Sequence, residues 1–94
     1  MFHALLWIDH ELAILLKERH LDQGLVLRLA LLSLKSYDVG SLFLETTEGK
    51  HHERVELSRY DFFCLNEVAR DKEVDPNLIL SYAFTEASLE ILRL

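Results

Sequence analysis

The chain is poor in residues that interrupt or cross-link a polypeptide: among 94 residues it has one proline, three glycines and one cysteine. So few prolines and glycines leave little room for long irregular loops. A single cysteine cannot form a disulfide within the chain, so we expect a reducing compartment. The first residues also lack the basic residue and the small-residue cleavage site of a signal peptide. Together these absences predict one cytoplasmic domain, residues 1–94.

Positive charge is also scarce. Ten Lys and Arg face 16 Asp and Glu, which gives a formal charge of −6 at pH 7. Direct binding to nucleic acid is therefore not expected, because it depends on clustered basic side chains. No apolar run approaches the roughly 20 residues that a helix needs to cross a bilayer, so no membrane association is expected. No internal repeat is visible in the sequence.

Leucine is what the chain has in abundance. It has 21 Leu against five Val and four Ile, and half of all residues are apolar. Leucine loses little rotamer freedom in a helix, whereas β-branched residues favour strands. The composition and patterns predict an α+β domain that is mostly helical. We expect two N-terminal helices, a central β-hairpin and two C-terminal helices in one compact domain.

Two segments form the N-terminal half. Residues 4–20 carry an apolar stripe at helical spacing, formed by Leu5, Ile8, Leu12, Leu15 and Leu16. A hairpin with strands Phe2–Ile8 and Leu12–Lys17 remains an alternative. Residues 25–34 are apolar at eight of ten positions, so we expect them to be buried and the other elements to cover them. They read as a helix that begins at the cap Asp22 and runs to about Ser36, although a buried strand also fits the pattern.

The C-terminal half carries clearer signals. Ser41–Thr47 and His52–Leu57 alternate like two strands, and a turn containing glycine separates them. Ser58 then caps a helix over residues 59–72. Asp75 and Pro76 begin a helix that extends to Arg93, although a hairpin turning near Glu86 also remains open.

The search for chemistry finds no motif that carries an activity. His10-Glu11 begins like a zinc-protease helix, but the second histidine is replaced by Ile14. His51-His52-Glu53 lies next to the turn predicted between the strands, which favours a solvated loop over a metal site. Cys64 stands between Phe63 and Leu65, as in a buried thiol. We therefore expect no catalytic residue, no metal and no cofactor.

Two apolar groups are left over once each helix has been given one core face. Trp7 and Ile14 form the first, and Leu78, Tyr82 and Leu89 form the second. Because monomers seldom expose large apolar patches, these five residues are the predicted partner-binding residues. The leading interpretation is a small, acidic, non-enzymatic protein-interaction module (a regulatory, inhibitory or assembly subunit). It would form a homodimer or dock on a larger protein. In the competing interpretation, both groups pack inside a monomer.

A second function remains open from the sequence. The helices over 59–72 and 76–93 follow each other like a helix-turn-helix, which would make the protein a small regulator of a nucleic-acid machine. Its acidic charge would equally suit an inhibitor that mimics DNA. A steep salt dependence of duplex binding would distinguish the first from the second.

Overall fold

The computed structural model describes residues 2–36 and 50–93. These residues form β1 (Phe2–Asp9), α1 (His10–Glu18), α2 (Gln23–Leu32), a 3₁₀ helix (Leu34–Ser36), β2 (Lys50–Leu57), α3 (Arg59–Asp71) and α4 (Pro76–Leu92). The radius of gyration is 12.5 Å, close to the ~13 Å of a compact domain of about 100 residues. A compact, mostly helical α+β domain is thus confirmed. Within the described part of the chain, no helix is both long enough and apolar enough to cross a bilayer.

The first element differs from the prediction. Residues 2–9 are a strand, so a helix over residues 4–20 is wrong for its first half. The chain buries Ala4, Leu6 and Ile8 and leaves Leu5 exposed, which is the period of two of a strand. The alternative hairpin was right for the segment Phe2–Ile8 but wrong for the residues after it. From His10 onwards the chain is helical, because the Asp9 side chain caps α1 by accepting from the Glu11 amide.

The two described strands form an antiparallel pair, in which Phe2 lies opposite Leu57 and Asp9 lies opposite Lys50. The predicted strand over residues 52–57 is confirmed as part of β2. Its partner among the described residues is β1. The predicted strand Ser41–Thr47 lies outside the described residues. The sheet therefore joins the start of the chain to its middle, a pairing that no local turn signal announces.

The described chain repeats one order of elements: strand, helix, turn, helix. The turns after α1 and α3 share their geometry. His20 and Glu73 both have a φ of 55°. In each turn the next amide donates to a carbonyl five residues back: Leu21 to Leu16, and Val74 to Ala69. An aspartate then caps the following helix, Asp22 for α2 and Asp75 for α4. The repeat lies in the structure and was not visible in the sequence.

The element at the centre of the molecule is α4, not residues 25–34. It packs against β1, all three other helices and the 3₁₀ helix. Its fully buried apolar side chains include Ile79, Leu80, Ala83 and Phe84. In α2 only Val26 and Ala30 are buried. The expectation that residues 25–34 are buried on all sides is therefore wrong. The helix predicted from Asp75 to Arg93 is confirmed as one continuous helix, without the alternative hairpin.

Two polar side chains of α4 cover the outer edge of β1. The Asn77 Oδ1 atom accepts from the Leu5 amide at 2.9 Å, and the Ser81 Oγ atom accepts from the Trp7 amide at 2.8 Å. Successive outward amides of a strand are about 6.8 Å apart, close to the ~6 Å rise between helix positions i and i+4. The match lets one helix satisfy an edge that would otherwise be open to another strand.

Candidate protein-binding surface

Exposed apolar side chains concentrate on two neighbouring helices. Nine large ones are exposed among the described residues, and five of these lie on α2 and α3. They are Leu25, Leu29, Leu32, Tyr60 and Phe63, which we call the α2–α3 surface. The other four are Phe2 and Leu5 on β1, and Ile14 and Leu15 on α1. In contrast, α4 exposes none.

The α2 part of this surface is a stripe of leucines. Leu25, Leu29 and Leu32 follow the i, i+4, i+7 spacing that places side chains on one helix face. The opposite face, with Val26 and Ala30, packs into the core. Arg28 is the only charged residue within α2. The stripe thus faces solvent on a helix that has almost no charge to solvate it.

The α3 part is aromatic. Ser58 fixes where α3 begins, because its hydroxyl accepts from the Asp61 amide at 3.1 Å. From that start, Leu65, Val68 and Ala69 turn inwards and are buried. Tyr60 and Phe63, three residues apart, then fall on the outer side and are exposed. Large rigid aromatic side chains are enriched at protein interfaces.

A groove joins the two parts. It has a volume of about 310 Å³ and is lined by Arg28, Leu31, Leu32, Leu34, Lys35, Tyr60, Asp61, Cys64 and Val68. Leu32 lines it from α2 and Tyr60 from α3, so exposed apolar side chains of both helices meet at this groove. At one side the Arg28 guanidinium lies 3.5 Å from the Asp61 carboxylate, which links α2 to the first turn of α3. The groove is therefore mostly apolar, and the Asp61 carboxylate within it is paired with Arg28.

Tyr60 and Cys64 form a local pair in this groove. A side-chain hydrogen bond with Cys64 raises the pKa of Tyr60 above its ordinary value of 10.0. The charge that Cys64 acquires on ionisation adds to this effect, as do slight desolvation and the carboxylates of Asp61 and Glu67. The phenol is thus neutral at physiological pH. Cys64 is half-buried, whereas the sequence predicted a buried thiol.

The predicted residues Trp7 and Ile14 do not share a helix. Trp7 lies on β1, where it is half-buried and its ring centroid is 4.4 Å from that of His52. Ile14 lies on α1 and is exposed. The helical spacing that placed them in one patch therefore does not exist.

The other predicted group keeps its geometry. Leu78, Tyr82 and Leu89 all lie on the less buried face of α4, and all three are half-buried. Leu89 packs against the core. Tyr82 follows Ser81 on α4, and the Ser81 hydroxyl accepts from the Trp7 amide, so α4 and the strand that carries Trp7 are in contact. A binding role for these residues stays a prediction.

Sequence reasoning missed all five residues of the α2–α3 surface. It assigned residues 25–34 to the core because nearly all of them are apolar. A helix that packs at the edge of a small domain, however, can bury only one side. The signal that was overlooked is that the leucines of α2 are spread around most of its circumference, more than one buried face can hold. For α3, Tyr60 and Phe63 lie off the face that carries Leu65 and Ala69, and that offset was visible.

The described residues give less support to a metal site or to a DNA-reading helix. Among the described residues, no three His, Cys, Asp or Glu side chains converge to hold a metal ion. The helix-turn-helix order is present in α3 and α4, but α4 supplies five of the 17 buried apolar residues of the described core, more than any other element. A reading helix must instead offer a free face with basic and amide groups. The amide of Asn77 already accepts from β1 through its oxygen.

Comparisons of the chain with protein-family models, with curated proteins and with solved structures give no match. The α2–α3 surface is therefore interpreted from its own chemistry.

Proposed function

We propose that this chain is a non-enzymatic protein-interaction module and that it binds its partner through the α2–α3 surface. The observation that carries the proposal is a mostly apolar groove lined by the exposed side chains of Leu32 and Tyr60, on two helices that also expose Leu25, Leu29 and Phe63. Such a surface is costly in water and favourable once covered. Regulation, inhibition or assembly of a larger protein are the roles that suit such a module.

The chemistry of the groove supports binding over catalysis. Its walls are mainly Leu, Val and Tyr, and its Arg28 and Asp61 side chains are engaged with each other. A catalytic site would need an acid, base or nucleophile held near a polar binding position. Cys64 shares a side-chain hydrogen bond with the neutral phenol of Tyr60, and a phenol that holds its proton tightly is a poor general base.

The test is differential capture. The wild-type chain, the double variant Leu32→Gln/Phe63→Gln and the single variant Leu15→Gln are immobilised, and bound proteins are identified by mass spectrometry. Leu15→Gln is the matched control because Leu15 is an exposed leucine on α1. We expect the same proteins on the wild type and on Leu15→Gln, and their loss from the double variant.

A fourth bait, Ile14→Gln, separates this surface from the residues predicted by sequence. If Ile14→Gln loses the captured proteins and Leu32→Gln/Phe63→Gln retains them, binding occurs elsewhere and the proposed surface is wrong. Glutamine is suitable for all four substitutions because it is a good helix former and changes no charge. Circular dichroism of each bait checks that the fold is kept.

A further inference from the structure

We propose that a second copy of this chain covers the α2–α3 surface, with α2 of one copy packed against α3 of the other. The proposal rests on the function proposed above, because it names the partner of that same surface. Two properties of the described residues lead to it: the size of the apolar area and the placement of charge around it.

The size of the surface suits an interface between two copies. The exposed fractions are 57% for Leu25, 38% for Leu29, 75% for Leu32, 76% for Tyr60 and 67% for Phe63. At about 200 Å² for each side chain, they correspond to about 600 Å² of exposed surface. That total equals the upper end of the roughly 300–600 Å² that the largest single apolar patch of a typical monomer covers. Two copies would bury about 1,200 Å² in total, which reaches the lower limit of specific, stable interfaces.

Charge decides which helix can face which. Each copy carries a formal charge of −6, so two copies repel each other over most of their surfaces. Of the four described helices, α2 alone contains no acidic residue. Together with the 3₁₀ helix it carries two positive charges, on Arg28, which is paired with Asp61, and on Lys35. The segment is therefore the region where a second acidic chain is repelled least.

The charges on α3 include acids that Lys35 of a second copy can face. Asp61 is already paired with Arg28 of its own chain, and the other charged residues of α3 are Glu67, Asp71, Arg59 and Arg70, a net charge of zero. Packing α2 against α2 would bring Lys35 of both copies together. Packing α2 against α3 instead places Lys35 beside a helix that carries the carboxylates of Glu67 and Asp71. A two-fold axis makes that contact twice, so the benefit is doubled.

The first experiment measures association directly. Sedimentation and light scattering are recorded over a concentration series for the wild type, for Leu32→Gln/Phe63→Gln and for Leu15→Gln. We expect the wild type and Leu15→Gln to dimerise alike. The double variant should bind itself at least about tenfold more weakly, because aromatic and large apolar residues at the centre of an interface dominate affinity.

Cys64 supplies an independent readout. It is the only cysteine in the chain and it lines the groove. Its rate of reaction with a thiol reagent should fall as the wild-type protein is concentrated, because a second copy covers it. In Leu32→Gln/Phe63→Gln the rate should not depend on concentration.

A charge exchange tests the pairing of α2 with α3. Lys35→Glu and Glu67→Lys should each weaken association, by about two- to fivefold for exposed charges. In the double variant Lys35→Glu/Glu67→Lys the two charges are exchanged, and we expect association to return. If the double variant associates no more strongly than the single variants, the proposed packing of α2 on α3 is wrong.

The outcomes separate the two proposals. A wild-type chain that stays monomeric at high micromolar concentration, with Cys64 reacting rapidly throughout, overturns the second copy as partner. Differential capture can still succeed in that case, and the proposed function then stands. A monomer in which Cys64 reacts slowly at every concentration means that the surface is covered within one molecule, which overturns both proposals.

Discussion

The helices α2 and α4 hold the same place in the repeated order of strand, helix, turn and helix, yet their environments are opposite. Both follow a turn of the same geometry, and both begin at an aspartate cap. Seven of ten residues in α2 and ten of seventeen in α4 are apolar. Nevertheless α4 buries seven side chains and α2 buries two. The apolar content of a helix therefore does not decide whether it is buried; its neighbours do.

The neighbours differ because of β1. Through Asn77 and Ser81, α4 is hydrogen-bonded along the outer edge of this strand, and the other helices then pack around it. The corresponding link from α2 is a single exposed hydrogen bond, from the Gln23 amide to the Glu53 carboxylate at 2.8 Å. One helix is covered on most of its circumference, and the other is left with an apolar side in solvent.

The largest expected effect is the difference in stability loss between a buried residue of α4 and an exposed residue of α2. Phe84→Ala on α4 should lower the free energy of unfolding by about 3–5 kcal/mol, because the ring is fully buried. Leu32→Ala on α2 should change it by only about 0.5 kcal/mol. Chemical denaturation in dilute solution measures both. Equal losses would mean that the outer face of α2 is not exposed.

The next effect concerns the hydrogen bonds between α4 and β1. Ser81→Ala removes the acceptor for the Trp7 amide and should cost about 1–3 kcal/mol of unfolding free energy. Ser88→Ala is the matched control, since Ser88 is equally buried but its hydroxyl only donates to the Phe84 carbonyl. That variant should stay within about 0.5 kcal/mol of wild type. Hydrogen exchange at the Trp7 amide should accelerate only in Ser81→Ala, and exchange that is unchanged there would contradict the role of this bond.

A smaller effect tests the turns that α2 and α4 share. His20 and Glu73 occupy the left-handed region, where glycine is less strained than any residue with a Cβ atom. His20→Gly and Glu73→Gly should each raise the free energy of unfolding by about 0.5–1 kcal/mol. Thermal and chemical denaturation measure this. If only one substitution stabilises, the two turns are not energetically equivalent.

The smallest effect is a change in the pKa of Tyr60. Cys64→Ala removes the hydrogen bond that raises this pKa, which should then fall back towards 10.0. Titration of phenolate absorbance, with Tyr60→Phe as reference, follows the change. Because the folded state holds the proton more tightly, the stabilisation is present at neutral pH and is lost as pH rises through the raised pKa. If the pKa of Tyr60 is the same in the wild type and in Cys64→Ala, the proposed hydrogen bond between Tyr60 and Cys64 is wrong.

Local signals were predictable and long-range partners were not. Asp22, Ser58 and Asp75 mark helix starts in the sequence, and all three cap helices in the structure. A cap depends only on residues two or three positions away, so the sequence contains all of the information. The pairing of β1 with β2 joins residues about 50 positions apart, and nothing near Phe2–Asp9 specifies it.

The candidate surface was missed for the same reason. Residues 25–34 look like a core in isolation, and only the position of α4 shows that the core was already occupied. Trp7 was assigned to a helix because Leu5, Ile8 and Leu12 fit helical spacing by coincidence. Leu78, Tyr82 and Leu89 were grouped correctly on one face of α4, because a single helix fixes their relationship.

Hydroxyl-radical labelling read by mass spectrometry tests most directly whether α2–α3 is the exposed, binding face and α4 is the core. Matched residue types allow direct comparison: Leu32 with Leu80, and Phe63 with Phe84. In dilute protein we expect Leu32 and Phe63 to be labelled strongly and their counterparts weakly, and only Leu32 and Phe63 should lose label on binding a partner. Equal labelling within the pairs in dilute protein, or no loss on binding, would contradict the account.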